Sequence, residues 1–176
     1  MLSLKDKKQL IAVILAFLTV IFIFSHSLMS PEVSSSESDA VSDVVADVVV
    51  GVIGNETPTQ IEKSEKATRF IDENIRKIAH FVEFAVLGVE TAFLGCFVLF
   101  DKNGKDIKLS RWAVLICSFL FGLTVAFLDE SLQLLSNRGP SVRDMWIDLA
   151  GFCALMIPVH LIVYAVMKNK PIRKLN

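Results

Sequence analysis

Long apolar stretches alternate with polar ones along this chain, and four of the apolar stretches are of similar length. The first runs from Leu10 to Leu28 with no formal charge. The second runs from Ile78 to Phe100 and is interrupted by His80, Glu83 and Glu90. The third spans Trp112 to Leu128, and the fourth spans about Met145 to Met167 with Asp148 and His160 inside it. The hydrocarbon core of a bilayer is about 30 Å thick, and about 20 mainly apolar residues in a helix cross it. The pattern predicts an all-α integral membrane protein, one domain over residues 1–176, with four transmembrane helices. The basic front of the first stretch also fits a signal peptide, with Ser25 and Ser27 as small residues for cleavage. Its spanning length favours a retained helix.

The segment from Ser30 to Lys77 is too long for a plain connection. After the polar run Ser34–Asp39, residues Val41, Val44, Val45, Val48, Val49 and Val52 recur at helical spacing. Valine lowers helix propensity, so a strand competes, but the spacing predicts an amphipathic helix on the membrane surface or against the bundle. Gly54 and Asn55 break it. Thr57-Pro58-Thr59-Gln60 then has the form of a capping box with proline at the first helical position. Ile61, Thr68, Ile71, Ile75 and Ile78 carry one stripe onward, and Glu62 and Lys66 form an i, i+4 pair. We expect this helix to run without a stop into the second spanning segment, giving a helical extracytoplasmic insertion between spans one and two.

Composition supports the membrane reading and narrows the partners. Hydrophobic residues make up 53% of the chain and mean hydropathy is +0.55, too high for an ordinary soluble domain of 176 residues. Net charge is −1, so no basic field points to nucleic acid. Cys96, Cys117 and Cys153 are scattered through apolar stretches, as buried small hydrophobes are. Charge placement gives an orientation. Eleven of the 18 basic residues fall at the N-terminus, between spans two and three, or at the C-terminus, against only Asp6, Asp101 and Asp106. The positive-inside rule makes that side cytoplasmic, with both termini inside and the Ser30–Lys77 and Asp129–Asp144 segments outside.

Ionisable groups inside spanning segments are costly and face protein or water. Here they gather at the outer helix ends. Arg76, His80 and Glu83 are spaced i, i+4, i+7 on one face of the second span. Asp129, Glu130 and Gln133 close the third. Arg138 lies in the turn, and Arg143, Asp144 and Asp148 open the fourth, with Ser141 as its N-cap. These ten residues form the predicted ligand-binding set, facing one outward polar pocket. An interhelical network that only holds the bundle together is the competing reading. Glu90 and His160 fall at similar depth farther along their helices, and we expect them either to pair or to be satisfied separately.

Several of these residues fall in runs that resemble the VanZ-like family of bacterial membrane proteins, which is associated with teicoplanin resistance. The runs are Arg76-Lys77-Ile78-Ala79-His80-Phe81-Val82-Glu83, Asp129-Glu130-Ser131-Leu132-Gln133, Arg138, Asp144-Met145-Trp146-Ile147-Asp148, and Phe24-Ser25-His26-Ser27. The likeness covers about Leu10 to Met167 apart from the long insertion. Phe84 stands where the family often has Tyr, and Asp148 where Asn is common. The resemblance implies a protein of the bacterial cell membrane with a part in glycopeptide or lipoglycopeptide resistance or in envelope homeostasis.

Three function classes compete. In the first, the pocket binds a membrane lipid head group, a lipid-linked cell-wall precursor or a glycopeptide drug, with Arg76, Arg138 and Arg143 clamping phosphate or carboxylate. In the second, a membrane-embedded enzyme acts on a lipid-linked envelope substrate, with His80, Glu83 and Glu130 as the acid and base groups. The chain has no nucleophile elbow, phosphate-cradling glycine loop or zinc-protease motif, which favours the first class. The third, a carrier, lacks an internal repeat. A homodimer fits the Ala85, Gly88, Ala92, Gly95 stripe, although helix packing is its simpler reading. We expect no cofactor and no metal: His80 and Glu83 share a face, but the cluster has one histidine, and several arginines would repel a divalent ion.

Overall fold

The structure, a computed structural model, describes residues 4–29, 31–54, 57–100, 110–136 and 139–169. Five long helices account for nearly all of them: α1 (Leu4–Ser27), α2 (Pro31–Ile53), α3 (Pro58–Leu99), α4 (Arg111–Gln133) and α5 (Val142–Lys168). A short 3-10 turn, Leu134–Ser136, follows α4. Four stretches are long and apolar enough to cross a membrane: Asp6–Ser27, Asn74–Leu99, Arg111–Ser136 and Val142–Lys168. The chain is a multi-pass membrane protein by this measure, with every expected span present.

The start of α3 follows from its capping chemistry. Thr57 has extended backbone angles, its Oγ1 accepts from the Gln60 N–H at 3.3 Å, and the Gln60 Oε1 accepts from the Thr57 N–H at 3.0 Å. Two otherwise unsatisfied helix-end donors are thereby bonded. Upstream, Gly54 closes α2 at a φ of 85°, a left-handed conformation in which a side chain would be strained. The Lys66 Nζ donates to Glu62 Oε1 at 2.6 Å on an exposed face. At about 1.5 Å per residue, the 42 residues of α3 extend about 63 Å, roughly twice a bilayer core. Its first turns therefore belong to the insertion, and α2 packs along α3. The valines of α2 are helical, so side-chain spacing outweighed their strand propensity.

α3 and α5 form the closest helix pair, and glycine lets their backbones meet. A Cβ on Gly88 would sit 2.3 Å from the Phe152 carbonyl oxygen, and one on Gly151 would sit 2.3 Å from that of Phe81. In a bilayer, where lipid is as apolar as leucine, such close approach supplies the dispersion contact that joins helices. Ala85 and Ala92 are buried on the same stripe, and Gly95 faces Val114 and His160, so the stripe is used within the chain. Ile23 of α1, Phe84 and Leu87 of α3, Val125 and Ala126 of α4, and Phe152 and Met156 of α5 fill the core beside this contact.

The third helix runs past the end of its apolar stretch at Leu128 and through Gln133, so Glu130 and Gln133 share a helical face, as their i, i+3 spacing predicts. The polar side chains that suggested an exit are buried against neighbouring helices and bonded there, so they do not stop the helix.

Candidate functional site

The polar residues converge where α1 and α4 end, α5 begins and α3 passes alongside. Asp129, on the last turns of α4, is fully buried. Its Oδ1 accepts from Ser27 Oγ at 2.5 Å, and its Oδ2 lies 3.7 Å from His80 Nδ1. His80 Nδ1 is also 3.9 Å from Glu83 Oε2, and the other carboxylate oxygen of Glu83 meets His26 Nδ1 at 2.8 Å. Asp148, one turn after Asp144 on α5, completes the inner layer at 2% exposure. One donor atom each from His80, Asp129 and Asp148 lie within 4.8 Å of one another.

A second layer ties the helix ends together. Glu130 Oε1 accepts from Gln133 Nε2 at 3.0 Å, and its Oε2 accepts from the Ser141 backbone N–H at 2.7 Å. Ser141 Oγ in turn accepts from the Asp144 N–H at 3.3 Å, capping α5. Ser136 Oγ donates to the Ser27 carbonyl at 2.9 Å, pinning the end of α1 beneath the α4–α5 connection. Glu130 and Gln133 thus hold the α5 N-terminus in place, a structural task that the spacing alone did not assign.

A small cleft opens onto this cluster, lined by Arg76, Lys77, His80, Glu130, Gln133, Asp144 and Asp148. Its volume of about 10 Å³ is the space of one water or one ion. Arg76, one of its lining residues, is exposed. Asp129 and Glu83 lie behind the lining residues, connected through His80. Arg143 does not join them: it is exposed, in a separate shallow groove with Phe70, Asn74 and Phe81, where Lys77 also borders. Arg138 lies outside the described residues.

A family model described as VanZ/LLP1 matches residues 11–164, a stretch that includes every side chain of the cluster. The chain belongs to the VanZ/LLP1 family. No curated protein and no solved structure matches it. Two members of the cluster in this VanZ/LLP1 chain, His26 and Ser27, were absent from the expected binding set, although their run carries part of the family likeness. The available signal was position: Ser25-His26-Ser27 ends an uncharged span on the side where the other polar residues gather. Farther along the bundle, Glu90 and His160 take the second of their two expected arrangements and do not pair. Glu90 Oε1 accepts from Thr19 Oγ1 at 3.1 Å, and His160 Nδ1 lies 3.7 Å from Cys96 Sγ. The two residues share a depth but face different neighbours, because equal depth does not fix helix rotation.

Proposed function

We propose that this VanZ/LLP1 protein sits in the bacterial cell membrane with both termini in the cytoplasm. Its polar cleft then opens outward and binds an anionic group carried by a membrane lipid, a lipid-linked cell-wall precursor or a glycopeptide drug. Binding of this kind contributes to glycopeptide or lipoglycopeptide resistance or to envelope homeostasis. The observation that carries the reading is that Arg76 and Lys77 line the same cleft as the carboxylates and imidazole of His80, Glu130, Asp144 and Asp148, with Arg76 exposed. A phosphate or carboxylate reaches the two cations without entering the small interior. The guanidinium supplies planar paired donors and the ammonium a compact charge. The basic residues of the N-terminus, the middle connection and the C-terminus support the orientation.

A second reading, acid–base chemistry on a lipid-linked envelope substrate, draws on His80, whose Nδ1 lies near two carboxylates. Glu130 fits it less well, since both of its oxygens are engaged in holding Gln133 and Ser141.

The test combines Arg76→Ala with Lys77→Ala in cells challenged with teicoplanin. Loss of tolerance at unchanged protein abundance in the membrane supports the binding role, whereas unchanged tolerance rejects the resistance role. Purified protein offered a lipid-linked precursor separates binding from turnover. An impermeant thiol reagent that labels a cysteine at Glu56 and spares one at Lys105 supports the orientation, and the reverse pattern overturns it.

A further inference from the structure

The innermost layer of the cluster has an ionic composition that the anion-binding reading does not use. Asp129 and Asp148 are almost wholly buried, at 0% and 2% exposure, and each places a carboxylate oxygen within 4.8 Å of the other's and of a His80 nitrogen. Glu83, Glu130 and Asp144 add acidic groups around them. The described cations of the cleft, Arg76 and Lys77, line it but are not among the three groups that meet within 4.8 Å. Burying two facing carboxylates costs on the order of several kcal/mol per charge unless a cation or a proton offsets it.

We propose that His80, Asp129 and Asp148 bind a divalent metal ion of the Zn²⁺ or Mn²⁺ type. The independent pointer to a ligand is Asp129 Oδ2. It belongs to a fully buried side chain, has no hydrogen-bond partner among the described residues, and points into the triad at 3.7 Å from His80 Nδ1. The other oxygen of the same carboxylate is fixed by Ser27 Oγ at 2.5 Å, which orients the free one as a neighbour of a metal ligand does. Ligands held at about 2.1 Å from one ion lie roughly 3.0–3.5 Å apart, so the triad closes on an ion by side-chain shifts on the order of 1 Å. One imidazole with two carboxylates is a borderline-hard set that suits Zn²⁺ or Mn²⁺ and leaves further positions open. His80 and Asp148 line the cleft, whose 10 Å³ matches an ion or its water better than a head group.

This reverses the expectation from sequence, and the reason is geometric. That expectation set His80 and Glu83 on one face, with Asp144 and Asp148 on another helix, and weighed against a metal the single histidine and the several arginines of the cluster. Glu83 instead turns an oxygen to His26, Asp129 of α4 joins Asp148 of α5 beside His80, Arg76 is exposed, and Arg143 lines another groove.

The experiment uses the purified full chain in lipid nanodiscs with no added precursor or drug, so its outcome is separate from that of the anion-binding reading. After chelator treatment, equilibrium dialysis with Zn²⁺ and with Mn²⁺ should show one saturable site per chain. Asp148→Asn and His80→Ala should weaken it by more than the about tenfold that outer-shell changes cost, while Glu90→Gln, far from the triad, keeps it. Circular dichroism verifies that each variant is folded. Where a variant does not fold, the wild-type chain decides through its stoichiometry and through a rise in melting temperature on adding metal. Absence of a saturable site in the wild-type chain, or unweakened binding by folded Asp148→Asn, overturns the proposal and leaves protonated carboxylates as the way this layer is neutralised.

Discussion

The end of the bundle where α4 meets α5 and the stretch holding Glu90 and His160 are built from the same helices, yet they handle buried polarity differently. At the α4–α5 end, side chains from α1, α3, α4 and α5 interlock: Ser27 with Asp129, His26 with Glu83, and Glu130 with Gln133 and Ser141. Farther along, Glu90 takes one hydroxyl from Thr19, and His160 lies against Cys96, with no contact between the two ionisable groups. The isolated pairs satisfy single groups and could be lost one at a time. The cluster concentrates acidic groups beyond what two helix contacts need, and that excess distinguishes a candidate site from ordinary interhelical bonding.

The largest expected effect comes from breaking both regions together at the contact that sets their shared geometry. Gly88→Ala or Gly151→Ala drives a methyl group against a backbone carbonyl of the facing helix, which has no flexible end to yield. Each should destabilise the fold by about 1–3 kcal/mol or more, measured by reversible unfolding in mixed micelles. Gly51→Ala is the contrast: a Cβ there meets nothing within 4 Å, so unfolding should not become easier. Equal effects at Gly51 and Gly151 would show that the α3–α5 contact is looser than the structure has it.

Ser27→Ala should come next. It removes the hydroxyl that holds Asp129 Oδ1 and leaves a buried acceptor, a loss of about 1–3 kcal/mol. The same unfolding measurement checks it, and the effect should exceed that of Thr19→Val, whose partner Glu90 is only partly buried. A larger loss at Thr19 would invert the comparison between the two regions.

The fold was legible because its signals are local and repeated. Spanning length, the Thr57–Gln60 capping box and the Gly54 break each act over a few residues, and each is found where the sequence places it. The membership of the site was less legible because it depends on helix rotation and on partners distant in sequence. Spacing put Arg76, His80 and Glu83 on one face of α3, but it could not show that Glu83 bonds a histidine 57 positions earlier. Arg143 was grouped by nearness in sequence to Asp144, and one residue along a helix turns a side chain by about 100°.

The next effect is a pairwise one inside the cluster. A double-mutant cycle with His26→Ala and Glu83→Gln should give a coupling of about 0.6 kcal/mol and up to about 1.7, the range of interhelical polar pairs in bilayers. Additive losses would mean that His26 only borders the site, as its position outside the expected set implied.

The smallest effect sharpens the contrast from the other side. Thr19→Val and Glu90→Gln should show a coupling a little below that value, about 0.5 kcal/mol, because one neutral hydroxyl is the bonded partner of Glu90. Glu90→Gln combined with His160→Ala should be additive, since His160 packs on Cys96 and Gly95 instead. Both cycles can be read from the same unfolding curves as the His26–Glu83 cycle, so the two regions are compared on one scale. Coupling between Glu90 and His160 at the level of Glu90 and Thr19 would require the two side chains to meet, and would mean that α3 or α5 is rotated from its present register. In that case the polar layer at the α4–α5 end, which depends on the same two helices, would have to rearrange as well.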